Sequence, residues 1–232
     1  RLDLGLGRAP GTDMMTASAI RRNNHDGVFS FSDEIEELQR YLSNAGTSLV
    51  AYPGNNTNIP LYVLGSSTDS AHIAAKLGLP YAFAAHFAPA QMKDAFTIYE
   101  ADFKPSKQLQ HPYKMVSNNV ILADTKEQAE YIATTHYQNI LGMFRNNRQL
   151  LQPPVVSMEG IWSPREENAI HSQFPLQFLG TKDDAVKQLR DFQTAFDVDE
   201  IIAAAYIYDM DALLKSYDLF EDAVKEYNEQ NS

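Results

Sequence analysis

Short apolar runs alternate with amphipathic stretches along nearly the whole chain. In RLDLGLGR, leucines alternate with charged residues and glycines, and this period of two predicts a β-strand. Four further apolar runs, LYVLG, PYAFAAHF, PYKMVSNNVILAD and DEIIAAAYIYD, also predict strands. A stretch with the apolar spacing of a helix follows each of them. We therefore expect five strand–helix units, which is typical of a parallel sheet covered by helices.

Capping residues mark the ends of several predicted helices. Ser32 is the expected N-cap of the helix in FSDEIEELQRYLS. Thr125 forms a capping-box pattern with Gln128 ahead of KEQAEYIATTHYQNILGMF, and Thr181 is the expected cap of TKDDAVKQLRDFQTAF. Gly78 is well placed just past the end of the helix in SAHIAAKLG.

Two architectures contain such units, the doubly wound sheet and the eight-stranded (β/α)8 barrel. No G-x-G-x-x-G follows a predicted strand, which weakens the dinucleotide-binding form of the open sheet. Five units are three fewer than a closed TIM barrel needs, and the chain opens directly on a strand-like alternation. We expect residues 1–232 to be the C-terminal five βα units of a single barrel domain, with the first three units absent from this chain. The proline-rich stretch at about 145–178 is predicted to be an irregular excursion.

Composition and charge narrow the classes of partner. The net charge is −11, with 30 acidic and 19 basic residues, so nucleic acid and anionic membrane surfaces are expected to be repelled. No apolar run approaches the roughly 20 residues of a membrane span. The absence of cysteine excludes disulfides and thiolate chemistry and is compatible with a cytoplasmic location. No spacing of histidines or carboxylates predicts a metal site.

The segment Gly65–Ser70, GSSTDS, joins a predicted strand to an alanine-rich helix. A helix N-terminus offers free N–H groups and a partial positive charge, glycine lets the backbone approach a ligand, and hydroxyls add donors, so the segment is suited to hold a phosphate. The alternative is a capped helix start, with Ser67 or Thr68 as the cap and Asp69 interacting with the helix dipole. The motif alone leaves both interpretations open. Asp69 disfavours a phosphate unless its side chain points away.

Two further residues follow predicted strands at the face that binds ligands in parallel α/β folds. Arg8 ends the first strand and is suited to clamp a phosphate, although an ion pair with an acidic neighbour explains it equally well. His86 ends PYAFAAHF and is a candidate to donate a hydrogen bond to a ligand or to transfer a proton. A hydrogen-bonded histidine at a strand end is the simpler alternative for His86.

Three segments carry a resemblance to a known family: RLDLGLGRAPGTD, PLYVLGSSTDSAHIAAKLGLPYAFAAHFAP and FLGTKDDAVKQL. They resemble the bacterial luciferase-like flavin-dependent monooxygenases, in particular the stand-alone group related to the alkanal monooxygenase alpha chain. The resemblance covers nearly the whole chain and implies a TIM barrel that binds reduced FMN. It further implies an oxidoreductase that uses O2 on a small organic substrate such as an aldehyde or ketone. A flavin reductase would supply the reduced FMN, and the protein would be cytoplasmic and a homodimer.

The resemblance also implies site residues. Arg8 matches the family arginine near the FMN phosphate, and serines after the next strand match the phosphate-contacting positions. The cofactor-binding residues that it implies are Arg8, Gly65, Ser66, Ser67 and Ser70. His86 falls near a position that flanks the flavin ring, and the catalytic residue stays unassigned.

One position departs from the family and two alternatives stay open. Relatives often carry a second phosphate-binding arginine where this chain has Ser18, with Arg21 and Arg22 nearby, so we expect one phosphate contact fewer. The first alternative function is a flavin-binding protein of the same fold without turnover. The second is a deazaflavin-dependent oxidoreductase on the same barrel.

Overall fold

The computed structural model describes residues 2–8, 14–20, 31–43, 49–175 and 177–231. The strands are β1 (Leu4–Gly7), β2 (Leu61–Gly65), β3 (Tyr81–Ala84), β4 (Lys114–Leu122), β5 (Phe178–Gly180) and β6 (Glu200–Ala204). The helices are α1 (Met14–Ile20), α2 (Phe31–Leu42), α3 (Thr68–Leu77), α4 (Met92–Asp102), α5 (Lys126–Phe144), α6 (Pro164–Gln173), α7 (Lys182–Phe196) and α8 (Met210–Asn231). Packing divides the chain into two units, Arg1–Phe83 with Gln91–Met115, and Ala84–Ala90 with Val116–Ser232.

The first unit contains three parallel strands. β1 pairs with β2, where Leu6 lies opposite Val63, and β2 pairs with β3, where Val63 lies opposite Tyr81. Two aromatic rings of β3, Tyr81 and Phe83, pack edge-on against Phe96 of α4 with ring centroids 6.1 and 6.0 Å away. This buried aromatic cluster joins the sheet of the first unit to its helices.

The second unit contains a parallel pair and a further strand. β4 pairs with β5, where Val120 lies opposite Phe178, and β6 pairs with β4. Ile121 packs in a buried cluster with Ala129, Ile132 and Ala133 of α5. The α/β class with parallel strands is thereby confirmed, and β4 is buried on both faces as a parallel strand should be.

The helix ends mostly follow the capping residues. Gly78 ends α3 in the left-handed conformation with φ of 61°, and Thr125 accepts a hydrogen bond from the Gln128 N–H, 3.2 Å away. Thr181 caps α7 in a full capping box. The prediction for Ser32 is wrong, because α2 already begins at Phe31, whose buried side chain extends the apolar face of the helix.

Two elements of the second unit depart from the prediction. The stretch at 145–178 contains the regular helix α6, which begins at Pro164 behind the cap Ser163. Proline at the first helical position lacks only an N–H that would be unpaired there, so it favours this helix start. A sixth strand, Phe178–Gly180, adds to the five expected, and three residues are too few to show a period of two. Assignment of the chain to one barrel domain stays a prediction.

His136 of α5 predicts a loss of stability in acid. Its side chain is fully buried, and neither ring nitrogen has a hydrogen-bond partner within the described residues. Burial lowers the pKa of His136 from 6.5 to about 4, so the unfolded chain binds this proton at a higher pH than the folded chain. We expect the free energy of unfolding to fall by up to about 3 kcal/mol as the pH drops from about 6.5 to about 4.

Denaturant unfolding across this pH range measures the effect. His136→Leu should flatten that part of the profile, because the variant has no imidazole to protonate. His111→Leu supplies the control, because it removes an imidazole from the surface instead of from the core. An unaltered slope in His136→Leu would contradict the assignment.

Candidate functional site

The site lies where β2 passes into α3. β2 ends at Gly65, and α3 begins at Thr68. Ser67 occupies the N-cap position with extended backbone, φ −145° and ψ 165°, but its side chain makes no cap hydrogen bond. The capping interpretation therefore accounts for the backbone of Ser67 and not for its hydroxyl group. The N–H groups in the first turn of α3 point towards its N-terminal end, where Ser67 lies.

The carbonyl group of Ser67 is held by two buried hydroxyls. The Ser70 hydroxyl donates to it over 2.7 Å and the Tyr81 hydroxyl over 3.0 Å. These two hydroxyls also contact each other at 2.9 Å. Burial raises the pKa of Tyr81 to about 12, so this hydroxyl stays protonated and donates at any physiological pH. The arrangement fixes the backbone of the loop from the core side.

Gly65 has a packing role in the structure. A Cβ atom at this position would overlap the Cβ and Oγ atoms of Ser70. The room that glycine provides is therefore taken up by Ser70, which is itself buried. Because Ser70 bonds inward to Ser67 and Tyr81, the structure gives Ser70 and Gly65 a part in shaping the loop.

Arg8 lies beside the first turn of α3. Its Nη2 atom is 3.0 Å from Oδ2 of Asp69, and the two side chains are 31% and 64% exposed. The ion pair with an acidic neighbour, one of the two interpretations of Arg8, is thus present. Asp69 is two residues after Ser67, so the ion pair brings the guanidinium group of Arg8 to the first turn of α3. Arg8, which follows β1, and the start of α3 therefore contribute to one candidate site in the first unit.

His86 belongs to the second unit and lies in the turn after β3. Its Nδ1 atom is 3.3 Å from the Ser117 carbonyl oxygen, which also accepts from the backbone N–H of His86 at 3.0 Å. Burial lowers the pKa of His86, and the hydrogen bond to Ser117 opposes that shift in part. The imidazole is therefore neutral at neutral pH, with the proton on Nδ1 where it meets the carbonyl, which leaves Nε2 as an acceptor.

The remaining sequence candidates add little to the site. Ser18 is exposed on α1, whereas Arg21 and Arg22 lie outside the described residues. Within the described ranges, no three His, Cys, Asp or Glu side chains gather in a way that suits a metal ion. None of the described helices is both long and apolar enough to cross a membrane.

Sequence reasoning missed Tyr81. The run PYAFAAHF predicts an apolar strand and gives no separate role to its tyrosine. A buried tyrosine usually finds a hydrogen-bond partner for its hydroxyl, and that general rule was the available signal. The partner itself, the Ser67 carbonyl group, lies 14 positions away in the chain and follows only from the packing.

Comparison with known proteins identifies the family. The luciferase-like monooxygenase family matches residues 1–199. The chain belongs to this family. It is 37% identical over 228 residues to a luciferase-like monooxygenase of Escherichia coli strain K12, an alignment that covers 97% of this chain and 68% of that protein. The crystal structure of apo-MsnO8 superposes on this chain with a TM-score of 0.87 at 28% sequence identity, over 96% of this chain and 68% of the MsnO8 chain.

Two more distant structures share the fold alone. The oxygenating constituent of 3,6-diketocamphane monooxygenase from Pseudomonas putida, in complex with FMN, has a TM-score of 0.59 at 15% identity and matches 96% of this chain and 70% of that one. An F420-dependent secondary alcohol dehydrogenase has a TM-score of 0.58 at 13% identity and matches 96% of this chain and 69% of that one. The first of these two structures contains FMN, and the second contains an F420–acetone adduct.

Gly65→Ala tests the packing of the loop. We expect it to lower the free energy of unfolding by about 1–3 kcal/mol, since the added methyl group forces Ser70 and the start of α3 to move. Gly7→Ala in β1 is the matched control, because a Cβ there meets Leu64 atoms at an ordinary 3.9 Å. Denaturant unfolding of both variants measures the difference. Equal stability of the two variants would show that the Gly65–Ser70 contact is easily relieved.

Proposed function

We propose that this protein is an FMN-dependent oxidoreductase that uses reduced flavin and O2 to oxidise a small organic substrate such as an aldehyde or ketone. Membership of the luciferase-like monooxygenase family supports an oxidoreductase. The observation that carries the cofactor assignment is the pairing of Arg8 with the start of α3, next to a serine hydroxyl that the helix does not use.

The donors of this site fit a phosphate group. Arg8 supplies a guanidinium group, Ser67 supplies a hydroxyl, and the first turn of α3 supplies N–H groups and the positive end of the helix dipole. Ser66 precedes Ser67 in the bend between β2 and α3, and we propose its hydroxyl as a further donor. Ser70 and Gly65 act on the phosphate through the loop backbone that they shape. Among the described residues of the site, Asp69 is the group that opposes an anion.

The bound flavin would supply the electron transfer and the reaction with oxygen, whereas the protein binds and orients it. His86, neutral and anchored through Nδ1 to the Ser117 carbonyl, is our candidate for a flavin-ring or substrate contact in which Nε2 accepts a proton or hydrogen bond. We further propose a luciferase-like TIM barrel, a flavin reductase as partner, a cytoplasmic location and a homodimer, all by analogy with the family.

A deazaflavin cofactor is the second candidate. The fold is shared with an F420-dependent secondary alcohol dehydrogenase as well as with an FMN complex. The phosphate-binding loop does not separate the two cofactors. A flavin-binding protein without turnover is the third candidate.

Product formation tests the proposed reaction. The protein is mixed with FMN, NADH, a flavin reductase and oxygen, together with a panel of aldehydes and ketones. We expect one or more substrates to yield an oxidised product that depends on this protein, and the product should be measured because free reduced flavin consumes NADH unproductively. Omission of the protein is the control. FMN binding without any product would favour the non-catalytic protein. In a parallel assay with F420 in place of FMN, turnover that is seen only with F420 would favour the deazaflavin enzyme.

Ser67→Ala separates phosphate binding from helix capping. We expect FMN to bind about fivefold more weakly, which corresponds to about 1 kcal/mol for one lost hydrogen bond. Stability should hardly change, because the Ser67 side chain makes no cap hydrogen bond. Fluorescence quenching of FMN and thermal unfolding measure the two quantities.

Thr125→Ala is the reverse control for Ser67→Ala. Thr125 does cap a helix, so this change should lower stability and leave FMN affinity as it is. If Ser67→Ala instead lowers stability with FMN affinity intact, Ser67 is only a cap.

A further inference from the structure

Asp69 carries a negative charge into the site proposed for phosphate. It lies in the first turn of α3, two residues after Ser67, and its side chain is 64% exposed. Its Oδ2 atom is 3.0 Å from the Nη2 atom of Arg8. Arg8 therefore already has an anionic partner before any ligand arrives.

A carboxylate and a phosphate would be alternative partners for the same groups. Both are favoured by the helix N-terminus, and both pair with a guanidinium group. The ion pair joins one carboxylate oxygen of Asp69 to one guanidinium nitrogen of Arg8, and both side chains are partly exposed. Ion pairs of this exposed kind are weak, so a phosphate can displace Asp69 without disrupting the fold.

We propose that Asp69 is an internal competitor that lowers the affinity of this site for doubly charged phosphate groups by occupying Arg8. This inference rests on the proposed flavin site. Repulsion by Asp69 grows with ligand charge, and competition for Arg8 affects only a ligand that carries a phosphate. FMN, a phosphate monoester with nearly two charges, is therefore penalised, and riboflavin, which lacks the phosphate, is not.

A weakened phosphate site has a consequence for turnover. Affinity differences between related complexes lie mostly in the dissociation rate, so Asp69 would speed the release of FMN. Fast release suits an enzyme that receives reduced flavin from a separate reductase and must discharge the oxidised form. Removal of the Asp69 charge is expected to slow that exchange.

Asp69→Asn tests the proposal, because it removes the charge and keeps the size of the side chain. We expect FMN to bind three- to tenfold more tightly at pH 8 and low salt, while riboflavin affinity stays unchanged. The gain should shrink in 1 M salt, where exposed charges are screened. Asp94→Asn is the matched control, since Asp94 lies in the first turn of α4 in the same unit and its loss changes the net charge equally.

A double-mutant cycle with Arg8→Ala shows whether Asp69 acts through Arg8. We expect Arg8→Ala to weaken FMN binding at least tenfold and to remove most of the gain from Asp69→Asn. A gain that persists unchanged without Arg8 overturns the competition and leaves only a general repulsion.

The remaining outcomes separate this inference from the proposed function. Weaker FMN binding by Asp69→Asn would mean that Asp69 positions Arg8, and it overturns the proposal. If Asp69→Asn and the unaltered protein bind FMN equally well, the proposed competition is overturned and the flavin site still stands. If neither protein binds FMN although thermal unfolding shows that both are folded, the flavin site and this inference are overturned together.

Discussion

The hydrogen bond from the Tyr81 hydroxyl to the Ser67 carbonyl connects the core of the first unit to its candidate site. The Tyr81 ring is fully buried between Phe83, Phe96 and Tyr99, with ring centroids 5.4–6.1 Å apart. A hydroxyl at the end of such a ring costs about 1–3 kcal/mol if it lacks a partner. The core therefore stabilises the one loop conformation that brings the Ser67 carbonyl to Tyr81. The packed core of the first unit thus determines where the loop lies.

The small residues of GSSTDS follow from the same constraint. Gly65 is needed because Ser70 fills the space beside it, and the Ser70 hydroxyl is the second donor to the Ser67 carbonyl beside that of Tyr81. With the carbonyl side of the loop held inward, the Ser67 hydroxyl is left outside the helix cap. Buried hydrogen bonds hold this loop on its core side, so the anion site that we propose on its other side would cost little entropy to occupy.

The second unit contains two histidines that differ in their hydrogen-bond partners. Burial lowers the pKa of both His86 and His136. His86 keeps a carbonyl partner that orients its ring, whereas both ring nitrogens of His136 lack partners among the described residues. An oriented neutral imidazole has a defined acceptor nitrogen and is suited to accept a proton or a hydrogen bond. The buried His136 contributes a dependence of stability on pH instead.

Local features of the chain were accessible from the sequence alone. The parallel α/β class, the ends of helices at Gly78, Thr125 and Thr181, and the resemblance of the GSSTDS region to a flavin family all depend on neighbouring residues or short periods. Helix α6 was missed because Pro164 reads as a breaker unless the cap Ser163 is considered with it. The three-residue strand β5 was missed because it is too short to show any period.

Contacts between distant residues were decided only by the tertiary structure. The pair of Arg8 and Asp69 joins positions 61 residues apart, and the hydroxyl of Tyr81 reaches Ser67 across 14 residues. Side-chain direction and the paths of two strands must both be known before such atoms can be placed within 3.0 Å of each other. Periodicity and capping reflect forces that act within a turn or two of the backbone. The pairing of Arg8 with Asp69 depends instead on how distant segments pack, and only the complete fold determines that.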